Sequence, residues 1–170
     1  MAKTIITKGF TSKDFQTMIY DQLVRCNDAE LLILKGHTLI EYMLNHFLDM
    51  SSNSGIDFDI SRFTFSQKTH LFEILGQRTK EISDDIKVVN KLRNEIAHKL
   101  TYNKDELETL ISSVLKRLTS LNKSIETTGM NGKIMSVVIY ICGNLYAHID
   151  RKSTRLNSSH PRLSRMPSSA

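Results

Sequence analysis

An all-α fold, an antiparallel bundle of five to six helices in one domain spanning residues 1–149, is what this sequence predicts. Three observations lead there. Residues 1–149 contain no proline, the two prolines lying at 161 and 167, and an interior proline costs a helix about 3 kcal/mol. Apolar residues recur at three- and four-residue spacing over long stretches, which lines one face of a helix. Short turn-forming groups separate those stretches and no convincing run of strands appears, so helix must bury itself against helix.

The elements follow in order. TSKD (11–14) opens a first helix, with Thr11 or Ser12 as its cap, running to about Cys26. Asn27 and Asp28 cap a longer one, on which Leu32, Leu39, Ile40, Met43 and Phe47 form the stripe. The Ser-, Gly- and Asp-rich stretch SSNSGIDFDISRFT is a loop in which Ile56, Phe58 and Ile60 alternate as a brief strand would. Phe65 to Leu75 is a short helix with Gly76 as its C-terminal glycine. Ser83 caps the next, where Asp84 and Asp85 complement the helix dipole. From Lys104 to Thr127 a single stripe runs through Leu107, Leu110, Ile111, Val114, Leu118, Leu121 and Ile125, until TTGMNG breaks it. The segment 133–148 contains VVIYI and reads as either a buried helix or a strand.

Residues 150–170 lack any such periodicity. They resemble the translation of a sequencing-library adapter: DRKSTRLNSSH (150–160) and SRMPSSA (164–170) match it in one frame, separated by PRL where a barcode would lie. The tail is therefore expected to be a non-native, disordered extension behind a truncated native C-terminus. Its removal changes the charge reading. The whole chain has 23 Lys+Arg against 18 Asp+Glu, but Arg151, Lys152, Arg155, Arg162 and Arg165 belong to the tail, with Asp150 the single acid there. The remaining 18 basic and 17 acidic residues are near balance, so composition offers no argument for a nucleic-acid or membrane partner.

About 150 residues suit one domain with one core. Cys26 and Cys142 are far apart and lack metal-ligand spacing, which fits a reducing cytoplasm. MAKTIITKGF has no apolar signal-peptide core, and the apolar segment 134–147 falls short of the ~20 residues that cross a bilayer. A cytoplasmic protein with no membrane partner is expected.

One stretch, SDDIKVVNKLRNEIAHKL, carries a possible site. At 100° per residue, Ile86, Val89, Leu92, Ile96 and Leu100 define its buried arc. Arg93 falls inside that arc, so its guanidinium must pair, reach the edge, or open into a cleft. His98 lies about 140° round the helix from Arg93. Asn94 stands one turn before His98 on the same ridge and can hold its imidazole. Structural roles are available to both: His98 near a helix C-terminus suits the dipole, and Arg93 can pair with Glu41, Glu73 or Asp21. His37 and Glu41, also four residues apart, could ligate a metal but lack further ligands, so an edge hydrogen bond is the simpler expectation. Lys35 could lend charge to a cleft, and His46 and His70 stand alone. Neither a cofactor site nor a metal site is expected.

LRNEIAH (92–98) resembles the signature of the HEPN superfamily (higher eukaryotes and prokaryotes nucleotide-binding domains), an arginine, a polar residue such as asparagine, and a histidine a few places on. Beyond these residues the resemblance extends over 12–127 as helix order alone. It implies a HEPN-like helical bundle acting as a homodimer, a metal-independent endoribonuclease whose two motif helices face each other. It further implies catalytic roles for Arg93, Asn94 and His98: His98 in proton transfer, Arg93 on phosphate charge, Asn94 orienting the imidazole or touching phosphate. RNA and a second copy of the chain would be its partners, with a cognate antitoxin or regulatory protein where such an enzyme serves as a toxin or phage-defence effector. FSQKTHLFEILG (65–76) resembles a segment of the mannitol operon repressor family, which implies the alternative: a catalytically silent dimeric module that regulates or scaffolds.

Overall fold

The computed structural model describes residues 11–52, 59–77, 79–98 and 103–158. Six α-helices lie among them: α1 (Ser12–Ile19), α2 (Ala29–Ser52), α3 (Phe65–Leu75), α4 (Lys80–His98), α5 (Lys104–Leu121) and α6 (Met130–Ser158). The described residues contain no strand. The all-α bundle expected from the sequence is what forms.

Local chemistry explains most boundaries. Thr11 caps α1 in a reciprocal box with Asp14, and the helix continues into a π-helical turn at Tyr20–Val24. Asp28 Oδ1 accepts the Leu31 N–H at 2.7 Å to start α2. Thr64 and Gln67 form the box of α3. Gly76 ends α3, but in extended geometry (φ −92°, ψ 158°). Its need for glycine is steric: a Cβ there would lie 2.3 Å from Thr79 Cγ2. α4 starts four residues earlier than a Ser83 cap would place it, at Thr79, whose carbonyl accepts the Ser83 N–H at 2.8 Å. Ser83 and Asp85 are consequently buried inside the helix. α5 stops at Leu121, before the expected break, because Asn122 turns extended and caps a 3-10 helix at Lys123–Thr127. Ile60 sits in another 3-10 turn, Ile60–Arg62; Ile56 and Phe58 lie outside the described residues.

Directions within the bundle are mixed. α4 runs antiparallel to α3 and α5, as Glu73 with Lys80 and Asp85 with Arg117 require. α2 has parallel neighbours. Along α3 its pairs are His37–Phe65, Glu41–Lys68 and Phe47–Phe72. Along α6 they are Asn27–Asn131, Gly36–Val138 and Ser51–Lys152.

α6 settles the ambiguity of VVIYI in favour of helix. Ile134, Val137, Val138, Ile141, Cys142, Leu145 and Ile149 are buried at helical spacing against α2 and α5. That side-on burial outweighs the β-propensity of branched residues. Gly36 makes the contact possible, since a Cβ on it would come 2.5 Å from Val138 Cγ2. Gly36→Ala should accordingly destabilise the bundle by about 1–3 kcal/mol. Thermal unfolding reads this, and a melting temperature equal to or above wild type would show that α2 and α6 part without cost.

The expectation of disorder from residue 150 is corrected for 150–158, which continue α6. Ile149 and the partly buried Lys152 hold this turn against α2, the Lys152 ammonium lying 4.7 Å from the Phe47 ring centroid. The helix is also longer than the 134–147 segment suggested. By length and composition Met130–Thr154 would suffice to cross a membrane; here its apolar stripe faces α2 and α5 as the core helix of the bundle.

Candidate functional site

Helical phase places the motif as expected. Ile82, Ile86, Val89 and Leu92 of α4 are buried, Arg93, Asn94 and Ile96 are half-buried, and His98 is exposed at the last residue of the helix. Leu100 lies outside the described residues. Arg93 Nη1 donates to Asn94 Oδ1 at 3.2 Å. Two of the three motif residues thus meet. Among the described residues His98 makes no bond to either: it lies far round α4 from Arg93, and the contact expected from Asn94 on its own ridge is not formed, the Asn94 Oδ1 being taken by Arg93.

Of the three carboxylates expected as partners of Arg93, Glu41 and Glu73 are engaged elsewhere, and Asp21 forms no ion pair with it among the described residues. Glu41 Oε1 accepts from the buried Lys68 Nζ at 2.6 Å, joining α2 to α3. Glu73 is shared by Lys80 and Lys87, each at 3.2 Å. Among the described residues Arg93 forms no ion pair. Its guanidinium is a half-buried cation whose partner is an amide oxygen.

The structure adds neighbours that the motif does not name. His37 Nε2 lies 3.2 Å from Asn90 Oδ1, bridging α2 and α4 one turn before Asn94. The imidazole stacks on Phe65 of α3, ring centroids 4.0 Å apart. Burial pushes its pKa down; Asn90 and Glu41 oppose that, and the positive charge of Arg93 adds to it. The edge hydrogen bond expected of His37 is therefore present, though its partner is Asn90 and Glu41 belongs to Lys68. A helical reading could have flagged both missed residues. Asn90 shares a ridge with Asn94, and Lys68 falls on the same buried side of α3 as Thr69 and Phe72.

Other candidates recede. The described residues hold no cluster of three or more His, Cys, Asp or Glu able to bind a metal. Cys142 is fully buried, its thiol pushed up to about 12, and so is no nucleophile at neutral pH. Lys35 lines a shallow groove with Met18, Gln22, Leu34 and Tyr42 between α1 and α2. His46 is buried, and His70 borders an apolar hollow with Phe63 and Leu71. The groove between α4 and α5 is lined by Lys91, Glu95, Asp105 and Glu106, an acidic balance that repels phosphate.

His37, His46 and His148 share one property: burial lowers the pKa of each. Their folded pKa lies below the unfolded value of about 6.5, so the unfolded chain takes up protons first. Stability from these groups is complete above about pH 6.5 and is lost as pH falls below it. The melting temperature should drop between pH 7.5 and pH 5.5, and His37→Gln should flatten that slope. A flat wild-type profile would contradict the burial of these imidazoles.

Comparisons with protein-family models, with curated proteins and with solved structures return no match. The class defined by fold and site is an all-α bundle with a half-buried arginine–asparagine pair and an exposed helix-terminal histidine.

Proposed function

We propose that this bundle is a metal-independent endoribonuclease of HEPN type, a cytoplasmic homodimer serving as a toxin or phage-defence effector under the control of a cognate antitoxin or regulatory protein. The observation that carries the reading is Arg93, a half-buried guanidinium without a carboxylate partner among the described residues. A cation kept partly out of water and left unneutralised favours an incoming anion.

RNA brings its own nucleophile, so the protein needs proton transfer and charge stabilisation. The 2′-hydroxyl oxygen attacks the adjacent phosphorus, its proton passes to a base, and the bond to the 5′-oxygen breaks as that oxygen is protonated. The products are a 2′,3′-cyclic phosphate and a 5′-hydroxyl. His98, exposed at the last residue of α4, is the proton-transfer group. Arg93 holds the phosphate oxygens as negative charge grows, and Asn94 aligns the guanidinium it already contacts. His98 and Arg93 point to different sides of one helix, so a complete site needs two α4 helices facing across a two-fold axis.

One observation favours the second reading, a catalytically silent regulatory or scaffolding module: the acidic α4–α5 groove borders the side of α4 that carries Glu95 and His98. RNA incubated with the purified chain, with and without EDTA, separates the two. Chelator-resistant cleavage leaving cyclic phosphate ends is expected. Metal-dependent cleavage leaving 3′-hydroxyl ends would overturn the mechanism, and intact RNA would favour the silent module. Light scattering should find a dimer, and a monomer that stays one with RNA present would remove the two-copy cleft.

A further inference from the structure

The ribonuclease reading assigns one imidazole, His98, yet the imidazole on Arg93's side of the same chain is His37. Three helices converge on it. Its own helix contributes Glu41, one turn further on; α3 contributes Phe65 and Lys68; α4 contributes Asn90 and Arg93. Glu41 and Lys68 neutralise each other at 2.6 Å, which leaves the Arg93 charge as the local excess. Asn90, Arg93 and Asn94 lie at positions i, i+3 and i+4 and so share one ridge of α4. This corner combines an uncompensated cation, an amide and an imidazole, the groups that bind phosphate oxygens.

We propose that His37 is a binding residue of this site and that, with Arg93 and Asn90, it holds one phosphate-type anion of the RNA backbone between α2 and α4. The assignment rests on the ribonuclease reading for the identity of the polymer, while the anion site itself stands on these side chains. A neutral imidazole donates from Nε2–H to Asn90 Oδ1, which leaves Nδ1 as an acceptor with no donor partner among the described residues. With Oδ1 engaged, the Asn90 amide nitrogen remains as a donor. An anion beside Arg93 offsets the repulsion that disfavours imidazolium, and Nδ1 then takes a proton from solvent and donates to the anion. Binding is thus coupled to uptake of one proton and strengthens as pH falls from about 7.5 to 6.

The test follows the His37 ring protons by NMR across pH, with inorganic phosphate as the probe, in the full chain. Phosphate should move the His37 titration to higher pH in wild type. In Arg93→Gln the titration should start higher, since the repelling charge is gone, and phosphate should no longer move it. His37→Gln keeps a donor toward Asn90 and should lose the gain in affinity toward low pH that wild type shows beyond the change set by the phosphate's own ionisation. A His37 titration unmoved by phosphate, or moved equally in wild type and Arg93→Gln, overturns the proposal. RNA cleavage in the same samples separates the two ideas. A phosphate-shifted His37 without cleavage keeps the anion site and removes the ribonuclease. Cleavage with an unmoved His37, and undiminished in His37→Gln, does the reverse.

Discussion

His98→Ala should lower RNA cleavage by about 10²–10⁴-fold, the usual worth of a positioned general acid or base, while the fold stays intact. The side chain is exposed at the end of α4 and contributes nothing to the core, and surface substitutions of this kind change stability by about 0.5 kcal/mol or less. Arg93→Ala should cost about 10²–10³-fold, the range for one lost donor to a developing oxyanion. It should also cost some stability, since the arginine stem is half-buried beside Leu92 and Ile96 and the Asn94 carbonyl loses its donor. Arg93→Lys restores charge but not the planar fork, and should recover only part of the rate. Rates on one defined RNA, with circular dichroism confirming the helices, decide the matter. Equal rates in wild type and both variants would trace the cleavage to a contaminant.

Arg117→Met should lower stability by about 3 kcal/mol, the largest effect expected of a single surface-reaching residue here. Asp85 is 1% exposed, lies inside α4, and is held by the Arg117 guanidinium from α5. Arg117 also reaches Glu81 at 2.8 Å. Removing one partner of a buried pair costs about 3–5 kcal/mol because the other charge is left stranded. The lower figure applies because the Arg117 side chain keeps 35% of its exposure and water screens it in part. At about 2–4 °C per kcal/mol for a chain of this size, the melting temperature should fall by about 6–12 °C. Replacing both members, Asp85→Leu with Arg117→Met, should recover most of the loss. An unchanged melting temperature in Arg117→Met would mean that Asp85 finds another way to shed its charge.

Asp85 shows where a local reading reaches its limit. As a sequence feature it suits the first turn of a helix capped by Ser83. In the fold, Thr79 opens α4 instead, and both Ser83 and Asp85 turn inward. The start of a helix depends on a few local hydrogen bonds: the Thr79 carbonyl accepts the Ser83 N–H at 2.8 Å to open α4, while its hydroxyl donates back to the Glu73 carbonyl of α3 at 3.1 Å. Gly76 makes the same point: it ends α3 as expected, yet for want of room beside Thr79 and not for a left-handed backbone.

By itself the sequence determined the helices, their stripes and the phase of the motif. Leu92 points in, Arg93 lies at the margin and His98 points out, because a helix repeats every 3.6 residues whatever packs against it. The tertiary structure alone decided three things. VVIYI became helix because α2, opened at Gly36, offered it a long apolar face. α2 acquired parallel neighbours because His37, Glu41 and Phe47 meet Phe65, Lys68 and Phe72 of α3 in the same chain order. Arg93 kept its charge free because Lys68, Lys80 and Lys87 reached Glu41 and Glu73 first. The last two depend on contacts between residues distant in the chain, and His37 and Asn90 meet across 53 positions. Periodicity carries no information about such pairs, since each side chain's phase is set by its own helix and its partner by how the helices are laid together.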